Sequence, residues 1–146
     1  MSTRRYDGSL HYLLKHAQMR LAELTGPALE PFGISGRQCA VLVAAGEQAP
    51  SSQHDIAQRM GVDRTTMVAL VDELEAKGLV YRRPDSRDRR KNVVALTEAG
   101  HTTLEGATSA VDEAERRFLG LLSDGEAAAF RETLRTAAFA PRVTEG

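Results

Sequence analysis

Arg82, Arg83, Arg87, Arg89, Arg90 and Lys91 crowd into ten residues, RRPDSRDRRK, with only Asp85 and Asp88 against them. A guanidinium offers a planar fork of donors that matches phosphate oxygens, so a run of this kind suits a polyanion. The whole chain of 146 residues has a net charge of −1. Six basic against two acidic residues put +4 in the run and leave −5 on the rest. The average therefore hides one basic finger on an acidic body. Charge alone describes a solvated loop equally well, and the flanking residues must decide.

Other chemistry finds little support. His11 and His16 are five apart, about 140° between side chains on a helix, so one helix cannot present both to a metal. His54 and His101 are isolated, and no CxxC, HExxH or glycine-rich phosphate loop occurs. Cys39 has no histidine at a spacing that suggests a nucleophilic pair. The expectation is no enzyme, no metal and no cofactor. A single cysteine excludes an internal disulfide and suits a reducing cytosol. The start, MSTRRYDGS, lacks the apolar stretch of a secretory signal. The longest apolar run, 39–45, is far short of the roughly 20 residues a membrane span needs. A cytoplasmic protein with no membrane partner is expected.

The elements that must position the basic run follow from periodicity. At 42% hydrophobic and 27% charged the chain is globular. Leu10, Leu13, Leu14, Ala17, Leu21, Leu24 and Ala28 follow helical spacing over 9–30, where Gly26-Pro27 kinks or ends the helix. Ser35 caps a second helix over 36–46. Ser51 or Ser52 caps a third with Ile56, Ala57 and Met60 inward, broken at Gly61. Asp63 caps a fourth with Met67, Leu70, Val71 and Leu74 inward, stopped at Gly78. Strands at 79–83 and 92–96 enclose the basic run as a hairpin whose tip holds the turn formers Pro84, Asp85 and Ser86. Thr97 caps a fifth helix to 122, with Leu104, Ala107, Val111, Ala114, Phe118 and Leu121 in one stripe. Ser123 and Glu126 form a capping box for the last, with Phe130, Leu134 and Ala138 inward.

Two short helices joined at a glycine and followed by strand, basic loop and strand describe a winged helix-turn-helix. The predicted fold is mainly α with a small β-hairpin. It is one domain over 1–146: a winged helix-turn-helix at 36–96, dimerisation helices at 9–32 and 123–140, and a long connecting helix at 97–122. The second helix of the motif enters a major groove by its first turns, while the wing follows the backbone or the adjacent minor groove. The outward face of those turns carries Arg64, Thr65 and Val68, with Thr66 at its edge. Arg64 reads guanine or holds phosphate, and the threonines bond phosphate or base edges. The expected DNA-contact set is Ser52, Gln53, Asp63, Arg64, Thr65, Thr66 and Val68, with Arg82, Arg87, Asp88, Arg89, Arg90 and Lys91 from the wing. Arg90 suits a narrow minor groove, and Asp88 either fixes its geometry or simply forms the turn. Glu73 and Glu75 lie further along and repel phosphate. Aromatics are 5% of the chain and none lies in the basic run, which disfavours single strands and RNA.

Gly61-Val62-Asp63-Arg64-Thr65-Thr66, the segment from Leu70 to Val80 (LVDELEAKGLV), Asp88-Arg89-Arg90 and Leu96-Thr97-Glu98-Ala99-Gly100 resemble the MarR family of bacterial transcription regulators. The resemblance runs over about residues 10–140 in the family's order of elements. It implies a homodimeric winged-helix repressor whose first and last two helices form the interface, with the wing's Asp-x-Arg at Asp88 and Arg90. Many relatives carry a basic residue where this chain has Ala69, and another where it has Glu73, so operator details differ.

The terminal stripes exceed what the core of one small winged helix needs. A helix over 97–122 spans about 39 Å at 1.5 Å per residue. Pairing with a second copy buries Leu10, Leu13, Leu14, Leu21, Val111, Phe118, Phe130 and Leu134; an intrachain bundle is the alternative. A two-fold dimer predicts a pseudo-palindromic duplex operator. The resemblance further implies release by a small aromatic or phenolic effector, or by thiol oxidation. Tyr12, Lys15, His16, Arg20 and Arg37 are the expected ligand contacts, each equally a surface or interface residue. Cys39 lies in an apolar run and is expected in the core, which weighs against a redox sensor using it. A winged helix serving protein contacts alone remains the other alternative, disfavoured by the basic tip.

Overall fold

The structure, a computed structural model, describes residues 6–141. Most of the segment weighed for a leader, residues 1–5, lies outside this range. After a short turn at Tyr6–Gly8 come α1 (Leu10–Leu29), a second short turn at Glu30–Phe32, α2 (Gly36–Ala45), α3 (Gln53–Met60) and α4 (Arg64–Ala76). The strands β1 (Val80–Pro84) and β2 (Asn92–Leu96) then pair antiparallel, with Val80 opposite Leu96 and Pro84 opposite Asn92. Helices α5 (Glu98–Phe118) and α6 (Asp124–Ala138) complete the chain.

The helix starts are set by short polar side chains. Ser35 accepts a hydrogen bond from the Gln38 amide while the Gln38 side chain accepts from the Ser35 amide. Ser123 and Glu126 make the same reciprocal pair. Ser52, Asp63 and Thr97 cap α3, α4 and α5. Each such cap is worth about 1 kcal/mol. Between α3 and α4 the chain turns at Gly61, whose φ of 66° is left-handed and suits a residue without Cβ.

The core lies where α2, α3, α4 and the hairpin meet. Val41, Leu42, Ile56, Met67, Val71, Leu74, Val80 and Val94 are all fully buried there. Truncating one of these large side chains to Ala costs about 2–5 kcal/mol. The step from wing to α5 is a second joint. Thr97 donates its hydroxyl hydrogen to the Gly78 carbonyl, and its amide donates to Leu79 at 3.1 Å. A Cβ on Gly100 would collide with the Leu79 carbonyl oxygen, so only glycine lets α5 press against this turn. That is the physical content of the Leu96-to-Gly100 segment.

Several expectations need correction. The first helix runs through Pro27 to Leu29 and does not end at Gly26-Pro27. Near a helix end the missing proline amide leaves only the Glu23 carbonyl without its intrahelical donor. Helix α5 stops at Phe118, four residues early, and spans about 31 Å. Leu121 is 88% exposed, outside the stripe predicted for it. Val111, expected at a dimer face, packs on the chain's own core. No residue of α6 is buried, so Phe130, Leu134 and Ala138 do not face an intrachain core.

Candidate nucleic-acid interface

Asp63 holds the first turn of α4, its Oδ1 accepting the Thr66 amide at 2.7 Å. The Thr66 hydroxyl and amide keep the Asp63 carboxyl below its ordinary range, so it stays ionised while it caps. Beyond the cap, Arg64 and Thr65 are exposed, and Thr66 and Val68 are half-buried. With Met67, Leu70, Val71 and Leu74 buried beneath, the opposite side of the first turns is the one turned to solvent.

The wing tip is organised by two aspartates. Asp85 is nearly buried; its Oδ1 accepts the Arg87 amide at 2.8 Å, and its own amide donates to the Lys91 carbonyl at 2.9 Å. The hydrogen bond from the Arg87 amide is the main reason its carboxyl is held low. Asp88 accepts both the amide and the Nε of Arg90 through one oxygen. Both roles weighed for Asp88, turn former and partner of Arg90, are thus present together. Arg83, Arg89, Arg90 and Lys91 point to solvent, and among the described residues Arg83, Arg89 and Lys91 have no ion pair.

A cleft of about 500 Å³ runs between α3, the start of α4 and the base of the wing. Arg64 borders it from α4, Arg90, Lys91 and Asn92 from the wing, and Gln53, His54 and Gln58 from α3. The structure therefore brings Arg64, Gln53, Arg90 and Lys91 to one concave surface. His54 and Gln58 were not among the residues expected there. Their spacing of four, outward of the buried Ile56 and Ala57, carried the signal.

Two expected contacts are engaged within the protein, although Ser52 also borders this cleft. Ser52 is buried: its hydroxyl caps α3 by accepting the Asp55 amide, and its backbone bridges to Val93. Arg82 turns inward from β1. Its Nε donates to Gln53 at 3.0 Å, one Nη lies 2.7 Å from Asp72, and the other pairs with Glu75. Its donors are directed into the fold, so it is not a free cation of the wing. Without it, residues 83–91 hold five basic against two acidic side chains, a net of +3. Glu73, on the other flank of α4, accepts from Gln38 at 2.7 Å, and Lys77 donates to both Gln38 and the Gly33 carbonyl. These carboxylates are engaged within the protein.

Tyr12, Lys15, His16, Arg20 and Arg37, expected as ligand contacts, do not line the three clefts described for the single chain. Tyr12 stacks on His16 at 4.2 Å between ring centroids, and Arg20 lies 5.6 Å above the Phe118 ring. Lys15 and Arg37 are exposed on α1 and α2. A separate cleft of about 630 Å³ opens between the end of α1, α2, α3, α5 and Phe139 after α6, lined by Leu29, Cys39, Val43 and Met60 with Thr25 and Arg59. Burial pushes the Cys39 thiol up, away from the reactive thiolate.

A helix-turn-helix with a basic two-stranded wing, held between long flanking helices, defines a winged-helix transcription regulator. The MarR family model matches residues 32–91. The transcriptional repressor NicR of Pseudomonas putida is 33% identical over 125 residues, covering 86% of this chain and 78% of NicR. A MarR-family transcriptional regulator from Rhodococcus sp. RHA1 superposes with a TM-score of 0.88 at 34% identity, over 95% of this chain and 99% of that one. CouR from Rhodococcus jostii RHA1, bound to p-coumaroyl-CoA, gives 0.85 at 35%, over 97% and 99%; CouR has also been solved on a 23-mer DNA duplex. The chain belongs to the MarR family of transcription regulators.

Proposed function

We propose that two copies of the chain pair through α1, α5 and α6 and bind a pseudo-palindromic duplex operator as a repressor, released by a small aromatic effector. The observation that carries the DNA reading is the single cleft bordered by Arg64 from α4 and by Arg90 and Lys91 from the wing. A major groove about 12 Å wide admits α4, and the wing then falls on the flanking backbone or minor groove. NicR, a repressor by name, and CouR, solved on a duplex, support the same reading. Fluorescence anisotropy with a labelled duplex across a salt series tests it. Affinity should fall steeply, with a log–log slope of about −0.9 per phosphate contact. Binding that is absent or indifferent to salt contradicts it.

The dimer is supported by apolar surface that the single chain leaves uncovered. Leu10 is 75% exposed, and Leu13, Leu14, Phe130 and Leu134 lie between 41% and 52%. With Leu21 and Phe118 they border or adjoin an apolar groove of about 350 Å³ between α1, α5 and α6. Apolar surface of this kind marks an interface, and a two-fold axis lets the same face cover itself. Light scattering should return twice the chain mass; a monomer at micromolar concentration contradicts the assignment.

For the effector, the 630 Å³ cleft against Cys39 and Val43 falls in the size range of small-molecule sites. A mainly apolar lining with Thr25 and Arg59 as its polar members suits a substituted aromatic ring. Because p-coumaroyl-CoA is the compound bound in CouR, aromatic acids and their thioesters are the first panel for calorimetry. Binding that also lowers DNA affinity supports the reading. No binding across the panel counts against an aromatic effector.

A further inference from the structure

Arg82 occupies the junction of three elements. It sits on β1, the strand that leads into the wing, and its partners lie on α3 (Gln53) and on α4 (Val68, Asp72 and Glu75). Val68, Asp72 and Glu75 are spaced four and three apart, which places them in one stripe along α4. That stripe flanks the side of α4 that carries Thr65 and Ala69. The Arg82 side chain is 21% exposed, against 92% for Arg90 at the tip. A guanidinium has five N–H donors in a rigid fork, and four acceptors here take up its edge. A phosphate contact would require Arg82 to leave two carboxylates behind.

We propose that Arg82 is a positioning residue that locks the wing to the recognition helix, so that operator affinity depends on Asp72 and Glu75. This rests on the duplex-binding reading above and goes beyond it. DNA binding needs α4 in one groove and the wing tip on its neighbour at the same time, so the offset between them must be fixed before contact. The hairpin fixes the two strands to each other, and Arg82 fixes them to α4. The consequence has an unusual sign. Removing acidic groups beside a DNA-binding surface ordinarily strengthens binding by lowering repulsion. Here, neutralising Asp72 and Glu75 releases the lock and weakens binding.

The test uses the full chain and the duplex to which the parent binds most tightly. Asp72→Asn/Glu75→Gln and Arg82→Met should each weaken binding about tenfold, and the combined variant should be no weaker than Arg82→Met. The log–log salt slope of Arg82→Met should match the parent, because no phosphate contact is lost. Thermal melts alongside separate this from a purely stabilising role, which would lower the melting temperature and leave the affinity of folded protein unchanged. If the double variant does not fold, Asp72→Asn and Glu75→Gln singly carry the same sign test, each leaving one carboxylate on the guanidinium. Neutral or tighter binding by the acidic variants, or a slope reduced by about 0.9 per chain in Arg82→Met, overturns the inference. A parent that binds no duplex removes the reading beneath it, whereas a binding parent with unaffected variants removes this inference alone.

Discussion

One carboxylate oxygen of Asp88, Oδ1, receives two hydrogen bonds from Arg90, the backbone amide at 3.1 Å and the guanidinium Nε at 3.2 Å. The first closes the tip of the wing, and the second aims the side chain, leaving both Nη groups outward on a residue whose side chain is 92% exposed. An exposed ion pair contributes little to stability, so this one acts mainly on orientation. Arg90→Ala should retain its melting temperature, bind duplex more weakly and lose about 0.9 from the salt slope per contact removed. Asp88→Ala should keep the slope and lose affinity. Equal affinity of parent and Arg90→Ala at one salt concentration would show that the wing tip does not touch DNA.

Arg64 borders the same cleft as Arg90 but reaches it from α4. It stands at the first position of α4, and an arginine there can contact guanine bidentately when the helix enters a major groove. Arg64→Ala should relax preference at particular operator positions, with a loss of about 1–3 kcal/mol on cognate sequence. Binding measured across single-base variants of the operator decides it. A uniform loss over all variants identifies Arg64 as a phosphate contact.

The two joints of the fold should respond differently to an added methyl group. Gly61→Ala forces a residue with Cβ into a left-handed conformation, at about 1–2 kcal/mol, and Gly61→Asn should be milder. Gly100→Ala meets the Leu79 backbone carbonyl, which cannot move without disturbing the Thr97 cap. Its loss should be larger than that of Gly61→Ala in thermal or urea unfolding. A Gly100→Ala protein as stable as the parent would refute the close approach of α5 to that turn.

Cys39 should be a slow thiol. Burial raises its pKa, so at neutral pH the reactive thiolate is scarcer than in an unperturbed cysteine. Alkylation of the folded protein should lag behind the unfolded chain and should accelerate only at a more alkaline pH. Rapid reaction near neutrality, with loss of DNA binding, would instead support a redox switch.

What the sequence made legible was local. The caps at Ser35, Ser52, Asp63, Thr97 and Ser123, the glycine break at Gly61 and the hairpin around the basic run are each signalled within a few residues. The end of α5 was not, because Leu119, Leu121 and Leu122 continue an apolar pattern while the backbone has already turned. The partners of Arg82 are hidden in the sequence for a similar reason. Its neighbours in the chain are basic, so it looked like part of the finger, but its partners Asp72 and Glu75 come alongside only when β1 folds back on α4. Periodicity placed Val111 on a stripe but could not say which part of the stripe the chain covers itself. The expected ligand contacts, drawn from residue chemistry, are polar side chains on α1 and α2, whereas the 630 Å³ cleft is bounded by residues brought together from α1, α2, α3 and α5 only on folding.

A two-fold pair of chains would present two equivalent α4 helices and wings to one duplex. Selection from random duplex by the purified protein tests this most directly. The expected result is an enriched pseudo-palindrome with half-site centres about one helical turn, 10–10.5 base pairs, apart. Recovery of no enriched sequence, or of a single asymmetric site without a repeated half, would contradict it.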